Sequence, residues 1–69
     1  MATVKIIELI GTSPKNWEEA ANNAVKEAQE TVKGITGVEV VAQTAKVKDG
    51  EIVEYRTNVK LAFLVEDKR

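Results

Sequence analysis

The chain has 69 residues, a formal net charge of -1, and neither cysteine nor histidine. That composition excludes disulfide staples, thiolate metal sites, a cysteine nucleophile and the usual histidine general base. It also lacks the basic excess of a nucleic-acid binder and any apolar run near the roughly 18 residues that span a membrane. The first residues do not have the charged-then-apolar order of a signal peptide, so a cytoplasmic protein with one domain over residues 1–69 is expected.

Val4 to Ile10 is apolar and β-branched, the composition of a strand. Gly11 breaks that run, Ser13 is a natural N-cap, and Pro14 suits the first helical position, where no N–H is needed. A helix from Pro14 to Lys33 follows. Trp17, Ala20, Ala21, Ala24, Val25, Ala28 and Val32 recur at three- and four-residue steps and form one stripe. Alanine dominates that stripe, so the helix should lie close against a sheet. Gly34 is placed to end it in the left-handed region.

Val38–Val47 and Ile52–Val65 read as the second and third strands. Asp49-Gly50 between them signals a tight hairpin, since both positions tolerate positive φ. In the third strand Val53, Tyr55, Thr57, Val59, Leu61, Phe63 and Val65 share a face. The second strand is apolar on both faces, with Val38, Val40 and Ala42 against Val41, Ala45 and Val47. The fold class is α+β: a β-α-β-β chain whose three-stranded antiparallel sheet partly wraps one helix. A single helix covers one face of such a sheet, so apolar residues on the other face call for further copies of the chain. The strands are also long for so small a domain, and long free edges invite pairing with another chain. A homo-oligomer is the expectation.

The element order, the helix entrance Gly11-Thr12-Ser13-Pro14 and the pieces Glu39-Val40 and Ala62-Phe63 resemble the dodecins over roughly Val4 to Asp67. The resemblance implies a hollow, tetrahedral shell of twelve copies, a homododecamer. It also implies storage of riboflavin or FMN between subunits, where flavins stack in pairs against a tryptophan and meet a glutamine of the third strand. Stacking and burial favour a flat ring against an aromatic face, and an amide offers both donor and acceptor to its polar edge.

Four positions of that flavin site are substituted here. Gly37 stands at the tryptophan's place and Arg56 at the glutamine's, while Thr44 and Leu64 occupy places where many bacterial members carry arginines suited to a phosphate. Weak or lost flavin binding follows. Members without the tryptophan are associated with other ligands, calcium among them, and the start Ser13-Pro14-x-x-Trp17 resembles that subgroup. A flavin-free structural or calcium-binding oligomer is therefore the alternative.

Other residues have plainer readings. Trp17 lies on the helix stripe as a core or interface aromatic, and Tyr55 is structural with its hydroxyl paired. Arg56 reads either as the ion-pair partner of a carboxylate such as Glu39 or Glu54 or as an anion contact in the former flavin pocket. Glu8, Glu51, Glu54, Glu66 and Asp67 could give oxygen ligands to a hard cation, though no spacing forms an EF-hand loop. Lys46, Lys48 and Lys60 form a solvated face. No Ser or Thr has a basic partner for activation, so catalysis is not expected.

Overall fold

The computed structural model describes residues 2–66. In chain order it has β1 (Ala2–Ser13), α1 (Trp17–Gln29), β2 (Ile35–Lys48) and β3 (Glu51–Glu66), with sheet order β1-β3-β2. Both pairings are antiparallel. The strands outrun their predicted limits because the ladder continues past glycines that read as breaks in the sequence, through Gly11 to Ser13 in β1 and Ile35 to Gly37 in β2.

Gly11 is the first correction. It does not break β1 but pairs with Thr57 inside it. Its function is steric: a Cβ there would collide with the Ala20 carbonyl oxygen and stand 2.9 Å from the Ala24 Cβ. The missing side chain lets α1 settle onto β1, as the alanine stripe anticipates.

The helix cap is the second. Ser13 ends β1, buried, and its Oγ accepts from the Lys15 and Asn16 amides at 2.9 and 3.5 Å. The N-cap is Asn16, whose Oδ1 accepts from the Glu19 amide at 2.6 Å. Pro14 therefore lies in the turn before α1, and the helix opens at Trp17. Glu18 and Glu19 fill its first turn, where carboxylates suit the positive end of the helix dipole. Helical geometry ends at Gln29, and Val32 donates back to the Ala28 carbonyl at 2.8 Å. Gly34 does adopt positive φ, at 81°, but as part of the entry to β2, where its carbonyl accepts from the Leu64 amide. At the hairpin, Asp49 and Gly50 both have positive φ, the geometry expected of that dipeptide.

α1 lies over β1 and β3 and barely reaches β2. Ala24, Ala28, Val59 and Leu61 form the buried centre, with Ile7, Leu9, Ala21, Val25 and Ile35 packed around it. Side chains alternate across each strand, and the sheet face away from α1 is open. On it Val4, Ile6, Ile10 and Leu64 are exposed, Ile10 to 63%. Val38 and Val40 pair with Leu61 and Val59 on the helix side, yet both are about half exposed because α1 does not extend over them. Apolar surface thus lies bare on both faces.

The third correction concerns β2, whose faces are not a simple alternation. The ladder steps from Val40↔Val59 to Ala42↔Asn58, so Ala42 joins the open face and Ala45, opposite Tyr55, joins the helix side. A bulge inserts one residue and reverses the alternation beyond it.

Candidate functional site

All four family-derived positions lie on the open face. Thr44 and Arg56 are direct cross-strand partners, and Thr12 of β1 lies opposite Arg56 on its other side. Gly37 pairs with Ala62 and Leu64 with Val4 at the far end of the sheet. Six residue steps along β3 take Arg56 to Ala62, roughly 20 Å of extended strand. The four positions therefore lie at two separated places on one protomer rather than in one pocket.

The Gly37 end is shallow and apolar. A Cβ built on Gly37 would meet only the Ala62 Cβ, at 3.8 Å, and Ile6 of β1 flanks Ala62 on its other side. The Arg56 end is polar. The Arg56 Nε donates to Glu54 Oε2 at 3.2 Å, which selects Glu54 over Glu39 as its carboxylate partner. Both side chains remain partly exposed, so the pair contributes little to stability, and the rest of the guanidinium meets no other group among the described residues. Farther along, Lys60 stands between Glu8 and Glu39 in the ladder.

Between the two ends lies Asn58, which the sequence reading passed over. It sits between Ile10 and Ala42, and its Oδ1 is buried without a hydrogen-bond partner among the described residues. Buried acceptors are normally satisfied, so a donor from outside the protomer would complete it. The signal was legible: asparagine is depleted in strands, and this one interrupts the run from Thr57 to Leu64.

On the helix side, Trp17 ties α1 to the sheet. Its indole N–H donates to the Thr44 carbonyl at 2.7 Å, and its own carbonyl accepts from the Thr57 hydroxyl at 2.8 Å. Its ring meets Tyr55 edge-on, with centroids 4.8 Å apart and planes at 84°. Tyr55 is engaged through its ring; among the described residues its hydroxyl makes no hydrogen bond. A separate recess of about 450 Å³ opens between α1 and β1, lined by Ile7, Leu9, Ala28 and Val32 with Glu27 and Glu30 at its rim. It lies on the opposite side of the sheet from the four family-derived positions.

No three acidic side chains gather as a metal site among the described residues. Glu8 lies on the open face, Glu51 and Glu54 near the hairpin; Asp67 and the side chain of Glu66 lie outside the described residues. No helix among them is long and apolar enough to cross a membrane.

A β-α-β-β chain whose three-stranded antiparallel sheet carries one helix on one face defines the class of fold. Residues 3–66 match the family model for dodecin, and the chain belongs to the dodecin family. It is 36% identical over 63 residues to the calcium dodecin of Mycobacterium tuberculosis, covering 91% of this chain and 89% of that one. The solved structure of that calcium dodecin, described as having a calcium-binding site, superposes with a TM-score of 0.81 at 35% identity, over 97% of this chain and 96% of the other. The dodecin of Streptomyces coelicolor superposes with a TM-score of 0.92 at 30% identity, over 97% and 96% of the two chains.

Proposed function

We propose that this chain is a cytoplasmic, homododecameric binding protein that holds a small ligand or ion between subunits and catalyses no reaction. Residues 1–69 act as a single dodecin-like domain. The observation that carries this reading is the open sheet face, where Ile6, Ile10, Val4 and Leu64 are exposed around the family-derived positions. Contiguous bare apolar surface marks an interface. Gly37 and Leu64 from one copy, with Thr44 and Arg56 from another, would form a pocket neither contains alone.

Within that pocket riboflavin or FMN binds weakly or not at all. Gly37 presents no ring, and its neighbour Ala62 presents a single methyl, so the stacking surface is missing. Light scattering should give a mass near twelve subunits, and titration of FMN should leave its fluorescence largely unquenched. A monomeric mass would defeat the assembly; strong quenching would defeat the ligand reading.

A second reading, calcium binding, is favoured by the similarity to calcium dodecin. With no acidic cluster within the described protomer, the roughly six to eight oxygens of a calcium site would come from several copies, with Glu8, Glu51 and Glu54 as contributors. An ion that binds only the folded assembly raises its melting temperature. Melting dialysed protein with and without Ca²⁺ tests this, and an unchanged midpoint at millimolar Ca²⁺ counts against it.

A further inference from the structure

The pairing of β2 with β3 contains a displaced segment. Val38↔Leu61 and Val40↔Val59 on one side, and Val47↔Ile52 and Lys48↔Glu51 on the other, follow one common register. Ala42 to Lys46 stand one residue out of it, pairing as Ala42↔Asn58 through Lys46↔Glu54. β2 absorbs the offset with an extra residue at Val41, and β3 absorbs its return at Val53. Both valines are exposed.

An alternative ladder is therefore well defined. If Ala42–Lys46 took the register of their flanks, both bulges would vanish and Gln43 rather than Thr44 would face Arg56. A one-residue slip moves every side chain of a segment to the other face. Thr44 would turn toward α1, and Gln43 would emerge on the open face. Regular pairing favours that arrangement, so the observed offset needs a hold from outside the ladder.

Trp17 supplies it. Its indole N–H binds the carbonyl of Thr44, the central residue of the five that are displaced. No other hydrogen bond joins α1 to β2 among the described residues, and α1 otherwise hardly touches that strand. Trp17 is itself anchored to β3 through Tyr55 and Thr57, so it spans both strands whose register is at stake. We infer that Trp17 is a positioning residue that holds this one-residue offset and so selects Thr44, not Gln43, as the neighbour of Arg56 on the ligand-facing side. The choice matters chemically, because a threonine hydroxyl and a glutamine amide offer different donors and acceptors.

The functional meaning rests on the open-face ligand reading, but the register can be measured without a ligand. The chain has no cysteine, so engineered pairs report cleanly. Directly opposed residues of one face are close enough for a disulfide, whereas residues on opposite faces are not. Thr44→Cys with Arg56→Cys should oxidise within one chain, and Gln43→Cys with Arg56→Cys should not, as read by peptide mass. Adding Trp17→Phe, which keeps a ring against Tyr55 and removes the N–H, should shift the ratio of the two cross-links toward the Gln43 pair. The shift should be roughly fivefold or more, the size set by losing one neutral hydrogen bond. The chain is short enough for total synthesis, so 3-benzothienylalanine at position 17 repeats the test with the indole's shape intact and the N–H gone. Thr57→Val, which removes one of the two ties of Trp17 to β3 but leaves the indole bond and the Tyr55 contact, should shift the ratio clearly less than loss of the N–H. The inference is overturned if the Gln43 pair forms readily in the native background, if both Trp17 replacements keep the native ratio, or if Thr57→Val shifts it equally.

Discussion

Gly11 and Ala20 touch backbone to backbone: the carbonyl of Ala20 occupies the space where any side chain at position 11 would begin. The helix-to-sheet spacing is thus set by one absent methyl in β1 and a row of single methyls in α1. Gly11→Ala should force α1 away from β1. Overpacking of this kind costs about 1–3 kcal/mol and occasionally more, so thermal unfolding at fixed protein concentration should show a clearly lowered midpoint. An unchanged midpoint would mean that the two elements are not seated this closely.

Helix initiation offers a sharper test, because two nearby residues have distinct tasks. Asn16→Ala removes the true cap and should cost about 1 kcal/mol, whereas Asn16→Gly should cost only a few tenths. Ser13→Ala should also destabilise, by stranding the Lys15 and Asn16 amides that its buried hydroxyl serves. Chemical denaturation of the three variants separates a capping effect from loss of the turn.

A charge on the open face should undo assembly while leaving the protomer's helix contacts untouched. Ile6→Glu places a carboxylate among Val4, Leu64 and Ala62, where a covered interface would have to bury it. The expected result in light scattering is a smaller species whose population grows on dilution. A mass identical to that of the unaltered protein would show that this face stays open to solvent.

Restoring the aromatic surface should restore the flavin. Gly37→Trp together with Arg56→Gln returns the stacking ring and the amide that the family resemblance assigns to these places. Quenching of FMN fluorescence should rise well above that of the parent, with Gly37→Trp alone giving the larger part. If the double variant quenches no better, these positions do not face the ligand.

Much of this architecture was legible in the residues. The β-branched runs, the Asp49-Gly50 hairpin and the alanine stripe each state a local geometry that packing then reinforces. The positive φ of Gly34 was legible for the same reason, though its place beyond the helix end was not. What escaped was decided by longer-range contact. Gly11 looked like punctuation because its real constraint, the Ala20 carbonyl, lies nine residues away across the helix–sheet contact. Ser13 resembles a cap in isolation, but the ladder to Tyr55 keeps it in β1. The offset of Ala42–Lys46 is invisible to alternation, since apolar residues occupy both phases of β2. Of the four family-derived positions, the sequence could place Thr44, Arg56 and Leu64 on strands and left Gly37 just ahead of one; only the register reveals that Thr44 and Arg56 are partners while Gly37, inside β2, stands far from both.

The protomer is 57 Å long but only 12 Å through its thinnest dimension. A plank of that shape has no depth in which to hide side chains, and its interior is essentially the single seam between α1 and two strands. Dilution should then act like a denaturant: the melting midpoint should climb with protein concentration, and the abundance of the chain in its surroundings becomes a determinant of whether it is folded at all.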